Sequence, residues 1–220
     1  DKINSSAVQD LVPQDFISSS LLEFLQSEDL EIVVNTILRN LLSYFHAGRA
    51  YIFEYDKERD TQSNTFEVVA ENVKPEIDSL QQLPLSLNPW WTTQIMSKKN
   101  IILDSLGEIP KEALCEEYEI LASQGIKSLM VAPLFSIDTI WGYIGIDIVE
   151  NYRKWETKDV QWFSFMANII SICMELRRSK DRVEQERLFL QNLYRYMPLG
   201  YICFSRNGMN VPISDYRIVD

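Results

Sequence analysis

Apolar and polar residues alternate most regularly between Gly125 and Val149. There GIKSLMVAPLFSIDTIWGYIGIDIV divides into two strand-like runs around a short polar break with Asp138 at its tip. Ile126, Met130, Val131, Ile144, Ile146 and Ile148 supply the β-branched and apolar content of half-buried strands. Pro133 has no N–H to donate, so regular pairing of the first run is expected to end there. Gly142 and Gly145, inside the second run, point to a bulge or to something packed close to the backbone. Upstream the period is helical. Phe16, Leu21, Leu22 and Leu25 predict one helix over 16–26, and Val33, Val34, Ile37, Leu38, Leu41, Leu42 and Phe45 a second over 31–45. Ser27-Glu28-Asp29 places acidic residues at the second helix's positive end, and Gly48 is expected to cap its other end. Arg49–Tyr55 reads as a strand, 56–64 as a polar turn and Thr65–Ala70 as the returning strand. Pro89 opens a short helix at its first position. Asn100–Asp104 is a short strand and 110–123 a further helix, and one helical pattern then runs from about Thr157 to Met197.

Hairpins mixed with helices exclude a parallel doubly wound sheet and an all-β sandwich. The expected class is α+β: a mostly antiparallel sheet with helices on its faces and a long C-terminal helix. Helices 16–45 and 160–176 both need cover and are expected on one sheet face. From Val160 to Leu176 the last helix is apolar nearly all round (Trp162, Phe163, Phe165, Met166, Ile169, Ile170, Ile172), which requires neighbours on more than one side. Trp162, Ile169, Leu176, Val183, Leu190 and Met197 recur every seven residues, the seam of a parallel homodimeric coiled coil. Phe165, Ile172 and Leu193 fit the companion positions, whereas Ser179 and Glu186 do not. That weak middle suits a helix that switches packings, or one exposed on a monomer.

Composition narrows the function. The 220 residues carry a formal net charge of −11, which argues against nucleic acid and against an anionic membrane surface as partners. No apolar stretch is long enough to span a bilayer and no signal-peptide pattern opens the chain. Cys115, Cys173 and Cys203 are odd in number and widely spaced, as expected of reduced thiols in a cytoplasmic protein.

Taken in order, RAYIFEYD, NPWWTTQIMSKKNIILDSL, GIKSLMVAPLF, TIWGYIGID and RKWETKDVQWFSFMANIISICME resemble the successive segments of a GAF domain. This is the small-molecule-sensing module of signalling proteins. FLQNLYRYMPLGYICFSRNG with ISDYRIVD resembles the opening of a PAS domain. The implied organisation is a lead-in over 1–15, a GAF sensor domain over 16–176, a coiled-coil signalling helix over 177–197 and the start of a PAS domain over 198–220. The implied parent is a bacterial multidomain sensor, most often a two-component sensor histidine kinase.

The resemblance also guides the site. The cyclic-nucleotide signature of the family cannot be assembled here, and Cys115 is followed by Glu116, not by the histidine usual beside a bilin attachment. His46 is the single histidine, placed to cap a helix end and not to bind haem. No metal, haem or pigment is therefore expected. A methionine sulfoxide reductase-like enzyme would need clustered cysteines, and no Ser or Cys has a histidine near it. The expected role is sensing, not catalysis. The candidate ligand pocket comprises Trp90, Trp91, Cys115, Tyr118, Ser128 and Met130, with the small or flexible face of Ser128, Met130 and Ala132 turned to the ligand. A ligand-free dimerisation spacer that transmits strain is the rival reading.

Overall fold

The computed structural model describes residues 29–110, 113, 115–136 and 139–196. The expected helix over 16–26, Asp138, Met197 and the PAS-like segment lie outside them. Helix α1 spans Leu30–Phe45, strand β1 Arg49–Asp56, β2 Thr61–Val69, β3 Leu83–Pro84, helix α2 Pro89–Met96 and β4 Ile101–Leu103. Helix α3 spans Cys115–Ser123, β5 Ser128–Ser136, β6 Thr139–Ile148 and α4 Thr157–Tyr196. Six strands form one sheet in the order β3-β2-β1-β6-β5-β4, and every pairing is antiparallel.

The chain divides into two units, the first ending at Glu175 and the second starting at Leu176. In the first, α1 and the opening half of α4 lie on the same sheet face, as the sequence predicts. Leu38, Leu41 and Phe45 of α1 and Phe163, Met166 and Ile170 of α4 share one buried cluster with Ile52, Met130, Ile144 and Ile146 of the strands. Burying each such side chain contributes about 1.5–3 kcal/mol, so this cluster dominates the stability. Arg153 helps join the two helices. Its guanidinium donates to the Phe45 carbonyl and lies over the Phe45 and Trp155 rings, 5.5 and 4.9 Å from their centroids.

Four local expectations need correction. The polar turn is confined to Lys57–Asp60, because the Asp56 carboxylate accepts from the amides of Glu58 and Arg59 and closes it early. Thr61–Asn64 therefore belong to β2. The cap of α1 is His46, not Gly48: it adopts φ 48°, ψ 43°, and its N–H and that of Ala47 reach the last-turn carbonyls. Gly48 serves packing instead, since a Cβ there would lie 2.6 Å from a Val149 methyl. Finally, β5 continues through Pro133 to Ser136. Its β4 partner ends opposite Val131. Four residues on, the N–H of Phe135 leaves the sheet for Ser171 Oγ at 3.2 Å. By strand alternation the Pro133 nitrogen faces that same unpaired edge, where no donor is needed.

Bulges set the faces. Opposite β1, β2 shifts register between Phe66 and Asn64, leaving Thr65 as the extra residue. In β6 the pairing jumps from Gly142 to Ile140, leaving Trp141 over. A bulge reverses which alternate residues point up. Phe66 and Val68 thus pack toward the helices, while Gln62 and Asn64 of the same strand turn to the opposite face.

Candidate ligand-sensing site

On the face away from α1 and α4, the strands present Arg49, Tyr51 and Phe53 from β1, Gln62 and Asn64 from β2, and Tyr143 and Asp147 from β6. The segment from Leu80 to Trp91 and the end of α3 with Gln124 and Ile126 cover them. Between the layers lies a cavity of about 50 Å³, room for about two to four water-sized groups. Its aromatic wall is ordered: Phe53 and Tyr143 stack at 4.9 Å with 9° between planes, and Trp91 meets Tyr143 edge-on at 5.9 Å. Gly145 is what admits Tyr51, because a Cβ there would come within 2.3 Å of the tyrosine ring.

At one end sits a buried charge pair. Arg49 Nε donates to the Lys74 carbonyl at 3.1 Å and Nη2 to the Gln124 carbonyl at 3.0 Å. The guanidinium thereby ties β1 to two of the covering segments. Its Nη1 lies 3.9 Å from Asp147 Oδ2, an ion pair too long for a hydrogen bond. Tyr51 Oη donates to Asp147 Oδ1 at 2.9 Å. Burial pushes the Asp147 carboxyl up to about 7, against the opposing pull of the Tyr51 hydrogen bond and of Arg49. Burial raises the Tyr51 hydroxyl as well, with Asp147 adding to the effect. Tyr143, raised by burial and by Tyr55, donates to Gln62 Oε1 at 3.0 Å.

Four buried polar atoms of these lining residues have no hydrogen-bond partner: Arg49 Nη1, which has only its long ion pair with Asp147, Gln62 Nε2, Trp91 Nε1 and Asn88 Oδ1. The Trp91 indole N–H reaches toward the Tyr143 hydroxyl and opposes its upward shift as a hydrogen-bond donor, although the contact falls outside good hydrogen-bond geometry. An unsatisfied buried group costs about 1–3 kcal/mol, so four among the residues that line this cavity leave its walls incompletely paired. A larger hollow of about 250 Å³ beside His46, Val73, Val149 and Glu150 has no such orphaned group in its lining.

The sequence-predicted residues are distributed unevenly. Trp91 is buried and lines the cavity. Its backbone N–H donates to Glu117 Oε1 of α3 at 3.0 Å, so one covering helix caps the start of another. Trp90 is half-buried behind it, Tyr118 is exposed on α3, and Cys115 contributes no described side chain. Ser128 and Met130 are turned the other way. Met130 is fully buried among the helix-side residues. Ser128 Oγ donates to the Asp104 carbonyl and accepts from the Arg153 amide, fixing the approach to α4. Strand parity was assigned correctly, but the cavity lies on the other face of β5: Leu129 and Val131 point to the cavity side. Arg49, Tyr51, Gln62, Asn64, Tyr143 and Asp147 were missed. Polar or charged residues within strand-like runs were the available signal.

A curled antiparallel sheet, two helices beneath it and short covering segments above agree with the finding that residues 29–174 match the GAF domain family. The chain belongs to the GAF family. It is 29% identical over 164 residues to the methanogenesis regulatory histidine kinase FilI of Methanothrix harundinacea, a match covering 72% of this chain. The matched segment spans 18% of that relative. Similar solved structures include the phycocyanobilin-bound GAF domain of a cyanobacterial phytochrome (TM-score 0.62, 19% identity, 74% of this chain and 94% of that one). The chromophore-binding domain of Stigmatella aurantiaca bacteriophytochrome is comparable (TM-score 0.61, 16% identity, 78% and 62%). These likenesses share the fold of this GAF domain. The bilins belong to those proteins: sites for ligands of even drug size occupy about 300–1,000 Å³, and the cavity of about 50 Å³ here does not fit such a group. Among the described residues no three metal-ligating side chains cluster, and no helix is long and apolar enough to cross a membrane.

Proposed function

We propose that this GAF domain is the sensory module of a two-component sensor histidine kinase, in which filling of the cavity behind Trp91 is relayed through α4 to a kinase. The supporting observation is the arrangement of the first unit. A void with orphaned polar groups lies on one face of the sheet and the start of α4 is seated on the other. Tyr143 and Ile144, adjacent in β6, touch the two sides. A ligand that favours one placement of the covering segments biases the helix through that shared sheet, as differential binding requires.

In this reading α4 works as a parallel pair in a cytoplasmic homodimer and leads into a PAS domain. In the single chain Leu176, Val183 and Leu190 of the heptad seam are 56%, 62% and 52% exposed. The ligand-free spacer is the second reading, favoured by the cavity's small volume. The test is sedimentation of the whole chain beside a Leu176→Lys, Val183→Lys variant. A wild-type dimer at tens of micromolar and a folded monomeric variant are expected. A wild-type monomer would remove the relay.

A further inference from the structure

The geometry points to Asp147 as a protonation latch on the cover of the cavity. With its proton on, Arg49 holds two covering segments down; with its proton off, Arg49 turns to the carboxylate and releases them. The inference rests on the sensory reading above only for what the cover controls. Both side chains are buried, Arg49 at 4% exposure and Asp147 at 1%. One guanidinium reaches segments far apart in the chain. Nε donates to the carbonyl of Lys74, in the link between β2 and β3, and Nη2 to that of Gln124, just after α3. Nε and Nη2 share one edge of the planar group, and Nη1 lies off that edge. Nη1 is the atom that faces Asp147, 3.9 Å from Oδ2. A shift of the guanidinium toward Asp147 is therefore a shift away from both carbonyls. Closing the 3.9 Å gap to the ~2.8 Å of a charge-assisted hydrogen bond takes a movement of about 1 Å. That carries bonds now 3.1 and 3.0 Å long out of hydrogen-bond range.

The proton decides which partner wins. Tyr51 Oη donates to Oδ1 at 2.9 Å, so Oδ2 is the oxygen left to carry a proton. A protonated Oδ2 meets Nη1 donor to donor, which agrees with the width of the gap, and the guanidinium stays with the carbonyls. An ionised Oδ2 is an acceptor of full opposite charge in a low-dielectric interior and draws the guanidinium more strongly than a neutral carbonyl does. The charged and titratable groups facing Asp147 are Arg49 and Tyr51 of β1, Glu67 of β2 and Tyr143 of its own strand. Its neighbour on β5 is Leu129, and the exposed Lys74 ammonium is paired with Glu76. Glu67 is committed to the amides of Glu76 and Ile77, and burial keeps Tyr51 and Tyr143 neutral. Burial moves the Asp147 carboxyl from 3.8 to about 7, so the cover is held in mild acid and freed as pH rises through neutrality.

The experiment is a pH titration of the whole ¹³C,¹⁵N-labelled chain by NMR, beside Asp147→Asn, which cannot ionise but keeps an acceptor for Tyr51. Four signals are followed: the Asp147 side-chain carboxyl carbon, the Arg49 Nε–H, and the backbone carbonyl carbons of Lys74 and Gln124. In the wild type all four should shift together with one midpoint near 7. Each carbonyl should move in the sense of a lost hydrogen bond as pH rises. In Asp147→Asn the remaining three should stay at their low-pH positions throughout. The amide spectrum and melting temperature of the variant report whether it folds. If it does not fold, the shared midpoint in the wild type carries the test. Three results would each overturn the latch: an Asp147 carboxyl that titrates near 4, carbonyls that stay put while Asp147 titrates, or carbonyls that still move in Asp147→Asn. Any of them leaves the sensory reading to its sedimentation test. A wild-type monomer in that test removes the relay and leaves the latch standing.

Discussion

Asp147 gives the domain a stability that depends on pH in a direction opposite to that of an ordinary ion-paired carboxylate. Its side chain is buried between Tyr51 and Arg49, and burial outweighs both partners, moving the carboxyl from 3.8 to about 7. Below about 4 the folded and unfolded chains both hold the proton, and the contribution is fully present. Between about 4 and 7 only the folded chain holds it, so stability falls as pH rises. Above about 7 the contribution is gone. At 1.36 kcal/mol per pH unit the whole window corresponds to about 4 kcal/mol, a ceiling because burial is relaxed by small motions. Asp147→Asn keeps an acceptor for the Tyr51 hydroxyl and cannot titrate. Urea unfolding of both proteins at pH 4.5, 5.5, 6.5 and 7.5 isolates the effect, since every other carboxylate is common to the two. The wild type should lose stability relative to the variant by at least 2 kcal/mol across the series. Parallel curves would show that Asp147 ionises normally and that the charge pair is hydrated.

Gly145→Ala should push the Tyr51 ring off Asp147, because the new methyl would sit 2.3 Å from it; a cost of about 1–3 kcal/mol is expected as a lowered melting temperature. Phe163→Ala empties the junction between α1 and α4, where its ring meets Phe45 edge-on at 6.0 Å, and should cost about 3–5 kcal/mol in urea unfolding. Asp29→Ala removes the acceptor for the Glu31 and Ile32 amides at the start of α1 and should cost about 1 kcal/mol, visible as faster amide exchange in that first turn.

Much of the architecture was legible because α1 and the β6 run after Gly142 obey their periods without interruption. Val33 to Phe45 keeps a helical stripe, and Met130, Ile144, Ile146 and Ile148 keep strict alternation. Gly142 and Gly145 also announced a close approach that the structure contains. What escaped was set by bulges, which the hydrophobic pattern does not encode. Gln62 and Asn64 looked like turn residues because they are polar, yet the extra residue at Thr65 turns them into a buried cavity. Parity alone cannot say which sheet face holds a cavity, so Ser128 and Met130 were expected on the cavity face and lie on the helix side. Their place under the helices follows from the bulk of α1 and α4, which fill one face with long side chains. The short covering segments leave space on the other.

The sheet separates two clusters of unequal strength, and this has a kinetic consequence. The helix-side cluster joins α1, α4 and four strands, whereas Trp91, Ile95, Leu106 and Leu121 are held by short segments with few long side chains. Amide exchange in α2 should therefore report openings far cheaper than global unfolding, while the amides of Met130 and Ile146 wait for the whole domain. The covering segments leave the cavity partly open, so such openings widen its mouth and would set how quickly a molecule larger than the cavity enters and leaves.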